Sequence, residues 1–277
     1  MTSNVVSTEE TGACAAQLGT SPDARIALTV GTGAALARGA RRGIVRPVNE
    51  QECTIPARLA AVRARIDEAA IRAGRSPGSV RLVAVSKTKP VEAIRAAYDA
   101  GQRDFGENYV QELAQKAAAL ADLPELRLHF IGALQRNKAK QAASVAAVIH
   151  TVDREELATE LDKRAGALGR KLDVLLEVNV GGEASKAGCA PEAVPLLLEA
   201  ARRAEHLRVV GLMAIPPYLD DPEAVRPYFA RLRALRDTLE APALLPELSM
   251  GMSHDFHVAI EEGATIVRVG SAIFGAR

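Results

Sequence analysis

The chain reads as a single (β/α)8 barrel of the TIM type with one additional helix on its amino-terminal side. Three observations predict it. From residue 55 onward, apolar β-branched strands alternate with amphipathic helical stretches, which implies parallel strands. The alternation runs to eight strands, the count at which such a sheet closes on itself. The first βα turn, Ser86-Lys87-Thr88, lacks the glycine-rich fingerprint of a doubly wound open sheet, the alternative architecture.

The elements follow in order. Ile55, Leu59, Val62 and Ile66 share one helical stripe, and Gly74 ends that leading helix. Residues 80–85 are apolar and β-branched apart from Arg81, a buried strand. Pro90 opens a helix over 90–100, with Gly101 just past its end. A short strand ends at Asn108 and a helix covers 109–120. Residues 128–133 form a strand, and the basic turn Gln135-Arg136-Asn137-Lys138 enters a helix. After a strand over 145–152, Asp153 is placed to cap a helix in which Leu157, Leu161 and Leu168 share a face. Residues 173–180 are almost continuously apolar; 191–205 are helical and 209–215 form a strand. Val225, Phe229, Leu232, Leu235 and Leu239 mark a long amphipathic helix. A strand over 248–252, a short helix N-capped by Ser253 and ending near Gly263, and a strand over 265–269 complete the series. No helix is expected after the eighth strand.

Residues 1–50 differ from the rest. They are rich in Ser, Thr, Gly and Ala, then in arginine, with little periodicity, and read as a flexible or non-native extension. Gly31-Thr32-Gly33 lacks the third glycine of a dinucleotide loop, position 36 being Leu36, and no Gly-Lys-Ser/Thr follows. The barrel domain is placed at 55–277. A net charge of +1 on 277 residues gives no footprint for nucleic acid or a membrane surface. No signal pattern or membrane-spanning run is present in the sequence. Cys14, Cys53 and Cys189 show no metal-ligand spacing and read as reduced thiols. These features predict a cytoplasmic protein.

The chemistry gathers after strands one, seven and eight. Lys87 leaves the first strand at its carboxyl end, where barrel ligands bind, and a desolvated lysine there can act as a Schiff-base nucleophile. On spacing alone, the plainer reading of Lys87 and Lys89 is a solvated βα turn. Gly251-Met252-Ser253 and Gly270-Ser271 follow strands seven and eight, the loops that often hold phosphate in this fold. Arg268 interrupts an apolar strand on the face of Ile266 and Gly270. A charge aimed into a barrel needs a partner or a ligand. A lysine, an arginine and a phosphate cradle suggest a phosphorylated aldehyde cofactor. His254 and His257 lack a third metal ligand and read as a solvated face. His129 is expected at the barrel wall or rim and His150 near the end of strand four, each reaching the mouth or satisfying backbone groups. Glu107 and Glu177 give no sign of a carboxylate pair.

From about Ile55 to Arg277 the chain resembles the pyridoxal-phosphate homeostasis protein family, itself related to the barrel of alanine racemase. The motifs are Ala84-Val-Ser-Lys-Thr-Lys-Pro90, Phe105-Gly-Glu-Asn-Tyr-Val-Gln-Glu112 and His129-Phe-Ile-Gly-Ala-Leu-Gln135. Further matches are Glu183-Ala-Ser-Lys-Ala-Gly188, Gly211-Leu-Met-Ala-Ile-Pro216, Gly251-Met-Ser253 and Val267-Arg-Val-Gly-Ser-Ala-Ile-Phe-Gly275. The resemblance implies pyridoxal 5′-phosphate (PLP) as cofactor and Lys87 as its aldimine lysine. It implies Ser253, Gly270 and Ser271 around the phosphate, Arg268 facing the pyridine nitrogen, and Asn108 and Met252 near the cofactor. Lys186 becomes a secondary cofactor contact. Ala133 and Ser271 stand where the family often has proline and threonine. The expected role is a monomeric carrier with no catalytic residues and no metal, serving apo PLP-dependent enzymes as acceptors. The rival is a PLP-dependent racemase or decarboxylase of the same fold. Those enzymes use a further β-domain and a partner's base, and the eight residues after Val269 leave no room for such a domain.

Overall fold

A computed structural model describes residues 54–183, 186–239 and 243–276; the expected extension over 1–50 lies outside the described residues. Thr54 caps the first helix, its side chain accepting from the Ala57 N–H, and α1 (Ile55–Arg72) buries Leu59, Val62 and Ile66. Gly74, with φ at +70°, turns the chain out of it.

Eight parallel strands then close in sequence order: β1 (Arg81–Val85), β2 (Asp104–Glu107), β3 (Arg127–Phe130), β4 (Val148–Val152), β5 (Leu172–Glu177), β6 (Leu207–Met213), β7 (Glu247–Ser249) and β8 (Ile266–Val269). β1 pairs with both β2 and β8, which sets Val83 beside Arg268. The connecting helices are α2 (Val91–Asp99), α3 (Val110–Ala119), α4 (Ala139–Val145), α5 (Glu155–Ala167), α6 (Val194–Arg202), α7 (Arg226–Leu239) and α8 (Phe256–Glu261). A four-residue helix, α9 (Ser271–Phe274), follows β8, where none was expected. It is too short to cover the barrel, and α1 packs against α8, α9 and α2 to fill the remaining gap in the outer ring. The additional leading helix thus takes the place of an eighth crossover helix.

Local chemistry departs from expectation in three places. Asp153 does not cap α5: Arg154 holds the N-cap position with no side-chain cap, and Asp153 instead pairs with the Arg154 guanidinium. Leu157 and Leu161 are buried, but Leu168 lies past the helix end and is exposed. Ser253 is not the cap of α8, because the chain makes one further turn and Asp255 occupies that position.

Period-two alternation divides the strands into two faces. Leu82, Ala84, Phe105, Leu128 and Phe130 join the large apolar core between sheet and helices. Inside the barrel the apolar cluster is small, Val148, Leu175 and Met213. The interior also carries His129, His150, Ser249 and Arg268, all buried, where barrels of this kind favour Val, Ile and Leu.

β6 carries an irregularity opposite Val174 and Leu175, and Gly211 there lies against β7. A Cβ on Gly211 would stand 1.8 Å from the Glu247 carbonyl oxygen. Gly211→Ala should therefore force β6 and β7 apart and cost about 3 kcal/mol, the upper end for overpacking, measured by urea denaturation; an unchanged midpoint would contradict this packing.

Candidate functional site

The carboxyl ends of the strands surround a cavity of about 350 Å³. Lys87 reaches it from the turn after β1, Asn108 from the end of β2, and Arg268 from β8. The loop after β7 adds Met252 and Ser253, and the loop after β8 adds Gly270 and Ser271. Tertiary structure thus brings every residue expected around the cofactor to one cavity, except Lys186. That lysine is on the β5–α6 loop, 2.9 Å from Glu183, and is not among the cavity's lining residues. A second cavity of about 370 Å³ opens at the opposite mouth. Its guanidiniums are engaged by carboxylates: Arg81 with Glu247, and Arg208 with Asp173 through two bonds.

The turn carrying Lys87 is held from behind. Thr88 adopts a φ of +62°, a left-handed conformation that is uncommon for a β-branched residue. Its N–H donates to Glu112 Oε2 at 2.8 Å. Lys116 Nζ, buried under the turn, donates to the Ser86 carbonyl at 2.7 Å, Glu107 Oε1 at 2.8 Å and Glu112 Oε2 at 3.0 Å. Ser86 Oγ donates to Glu107 Oε1 at 2.6 Å. Burial raises Glu107 above the ordinary carboxylate range although Lys116 and Ser86 bond to it. Burial acts the same way on Glu112, but the Thr88 N–H and Lys116 outweigh it and hold that carboxyl low.

Arg268 is buried, and three of its five N–H groups are satisfied by protein. Nη1 donates to the Ser249 carbonyl and to Ser249 Oγ, both at 2.7 Å, and Nη2 to the Ala214 carbonyl at 2.9 Å. Desolvation lowers it to about 10, with Glu177 and Asp255 opposing; it remains a cation at neutral pH. The Met252 N–H donates to Asp255 Oδ1 at 2.6 Å, folding the loop after β7, and Ser253 Oγ accepts from the Gly270 N–H at 3.3 Å, tying the two loops together. Gly251 sits at φ +93°, and a Cβ there would meet Ala259 Cβ at 2.6 Å. Asn108 is held by close approach of backbone: a Cβ on Gly132 would fall 2.1 Å from the Asn108 carbonyl oxygen.

The model of the alanine racemase N-terminal domain family matches residues 57–277. The pyridoxal phosphate homeostasis protein of Pseudomonas aeruginosa is 53% identical, covering 81% of this chain and 96% of that protein. The protein of the same name from Aquifex aeolicus is 52% identical over 79% of this chain and 97% of its own. This chain belongs to the pyridoxal phosphate homeostasis protein family. Among solved structures, PipY of Synechococcus elongatus with PLP bound superposes with a TM-score of 0.69 at 40% identity, over 80% of this chain and 100% of that one.

Within this family member, the histidines of β3 and β4 turn toward each other. His129 and His150 do not line the cavity at the carboxyl-terminal mouth; they bond to each other inside the barrel, Nδ1 to Nε2, at 2.9 Å. Glu107 faces the helices and Glu177 the barrel interior, so they cannot act as a carboxylate pair. His254 lines the cavity mouth and bonds the Asp220 carbonyl, whereas His257 packs edge-on against Phe256. Among the described residues no group of three or more His, Cys, Asp or Glu could hold a metal ion, and no helix is long and apolar enough to cross a membrane. Cys189 is a free thiol, pushed up to about 11 by burial. Lys116 is the site-supporting residue that sequence reasoning missed; the available signal was a lysine four residues after Glu112 on the buried face of α3.

Glu177 is buried, and its Oε2 has no hydrogen-bond partner. Burial first, then the Asp153 carboxylate, pushes it up to about 7 against the pull of Arg268. A carboxyl raised from its ordinary 4.5 binds its proton more tightly in the folded state. Its contribution to stability is therefore full at low pH and is lost as pH rises from about 4.5 through about 7. Relative to Glu177→Gln, the parent should lose on the order of 3 kcal/mol across that window. Parallel pH series of urea melts check it; curves that stay parallel would contradict the assignment.

Proposed function

We propose that this protein holds PLP at the carboxyl-terminal mouth of its barrel, as a carrier in the homeostasis of that cofactor, with no substrate turnover of its own. The observation that carries the reading is the convergence of Lys87, Arg268 and the Ser253–Gly270 loop pair on one cavity. The residues fit the group. Lys87, Lys89 and Arg268 give the lining a positive balance against Asp255, which suits a phosphorylated ligand. Asn108 adds a buried Oδ1 without a partner.

When bound, PLP supplies an aldehyde that condenses with an amine and a ring that can draw electrons. Lys87 offers the amine, on a turn fixed by Lys116 and Glu112 so that its stem emerges at the mouth. Ser253 and Ser271 offer hydroxyls, and Gly270 a backbone free of side-chain bulk, to the phosphate. Met252 lines the cavity beside them. Arg268 bears donors only, so a ring nitrogen set against it must accept and is kept unprotonated. That weakens the ring as an electron sink and favours holding over catalysis. Apo forms of PLP-dependent enzymes are the acceptors of this reading, with Lys186 as a handover contact, in a cytoplasmic monomer.

Borohydride reduction of the protein loaded with PLP, followed by peptide mapping, should place the pyridoxyl adduct on Lys87, and Lys87→Ala should lose the visible absorbance. An adduct confined to Lys89 or Lys186 would overturn the assignment. A chiral and mass assay across amino acids at saturating PLP should find no useful conversion. Turnover of about 1 per second or faster, abolished in Lys87→Ala, would overturn the carrier reading.

A further inference from the structure

A continuous chain of side-chain hydrogen bonds crosses the barrel interior. Arg268 Nη1 lies 2.7 Å from Ser249 Oγ, which is 2.9 Å from His150 Nδ1. His150 Nε2 is 2.9 Å from His129 Nδ1, and His129 Nε2 is 2.8 Å from Asp104 Oδ1. Ser249, His150 and His129 are each fully buried, and Asp104 sits at the amino-terminal end of β2, beside Arg127 at 3.5 Å. The chain therefore joins the cofactor cavity to the opposite end of the barrel.

Its two ends impose a direction. A guanidinium only donates and an ionised carboxylate only accepts. Asp104 is ionised: burial would raise it, but the bonded His129 and the neighbouring Arg127 outweigh that and hold it below its ordinary range. His129 must then donate through Nε2 and accept at Nδ1; His150 must donate through Nε2 and accept at Nδ1; the Ser249 hydroxyl must donate to His150 and accept from Arg268. A doubly protonated ring would instead reverse the bonds between it and Ser249, leaving Ser249 Oγ to accept from both His150 and Arg268, so this direction belongs to the neutral pair. Burial agrees with neutral rings. It lowers His129 despite Asp104, and it lowers His150 well below its ordinary value, helped by the charge of Arg268.

We propose that Ser249, His150, His129 and Asp104 form a one-way hydrogen-bond relay that positions the Arg268 guanidinium for the cofactor, with both imidazoles neutral and protonated at Nε2. With its own proton drawn toward His150, Ser249 Oγ keeps its lone pairs for Arg268, and this ties the orientation of Arg268 to Asp104 at the far mouth. The four are positioning residues, since none of them lines the cavity. The proposal rests on the PLP reading for the ligand, and on hydrogen-bond geometry for the relay.

Two measurements test it. In the ligand-free protein, nitrogen-15 NMR of the imidazoles should show both rings neutral with the proton on Nε2. A charged ring, or an Nδ1-protonated tautomer at either position, overturns the relay whether or not PLP binds. PLP titrations of Ser249→Ala, Asp104→Ala and Asp104→Asn should then be compared with the parent by absorbance and fluorescence. Ser249→Ala removes the hydroxyl link and should weaken binding about ten-fold, the scale of one hydrogen bond to a charged group, with a shifted visible band. Asp104→Ala should act in the same direction from the opposite mouth, while Asp104→Asn, which keeps an acceptor, should retain most of the parent's affinity and spectrum. Urea melts establish that each variant is folded. Folded Ser249→Ala and Asp104→Ala that match the parent in affinity and band position overturn the positioning role. A parent that binds no PLP while its imidazoles show the expected tautomers overturns the ligand reading and the positioning role, and leaves the hydrogen-bond direction established.

Discussion

The burial of one guanidinium organises this barrel. A cation withdrawn from water is strongly unfavourable unless its donors are met, and two backbone carbonyls and one serine hydroxyl meet three of the five donors of Arg268. Each partner brings a requirement of its own. Ser249 needs an acceptor for its proton, which selects a neutral His150; His150 needs one in turn, which selects His129, and Asp104 closes the series. The interior is polar along this line for that reason. The large apolar core lies on the other side of the sheet, between strands and helices.

The same division of faces explains how Lys87 is presented. The inward face of β1 leads to the cavity, whereas the turn after it is anchored from the outward side by Lys116, Glu107 and Glu112. Removing one member of such a buried ionic cluster would leave a charge uncompensated, a loss of about 3–5 kcal/mol. A strained residue such as Thr88 persists only where its surroundings over-determine it, and here the Glu112 carboxylate bonded to its N–H does so. The site is thus rigid on the β1 side. On the β7 and β8 side, Asp255 and the long Ser253–Gly270 contact join two short loops.

Glu177 stands apart from both networks. It faces the interior near Arg268, yet one of its oxygens is unmatched. Buried carboxylates without a full set of partners are uncommon in folded proteins. Held at about 7, its carboxyl changes charge within the ordinary range of pH.

Much of this was legible in the residues themselves. Alternation of strand and helix, with eight strands, determined the barrel, because period-two and period-3.6 patterns are written within short windows. The Lys87 turn, the two glycine-serine loops and Arg268 could be assigned to one mouth because strand order and direction put them there. Helix ends were less legible. Asp153 and Ser253 have good capping side chains, but the neighbouring Arg154 and Asp255 hold the cap positions, since one turn of chain more or less is settled by packing. The helix after β8 was missed because four residues carry too little periodicity to register. What only tertiary structure decided is which polar groups meet. His150 and Ser249 are 99 residues apart and become neighbours only when β8 closes against β1. The sequence determined which side chains face inward; closure of the barrel determined that those inward polar groups, cut off from water, had to satisfy one another.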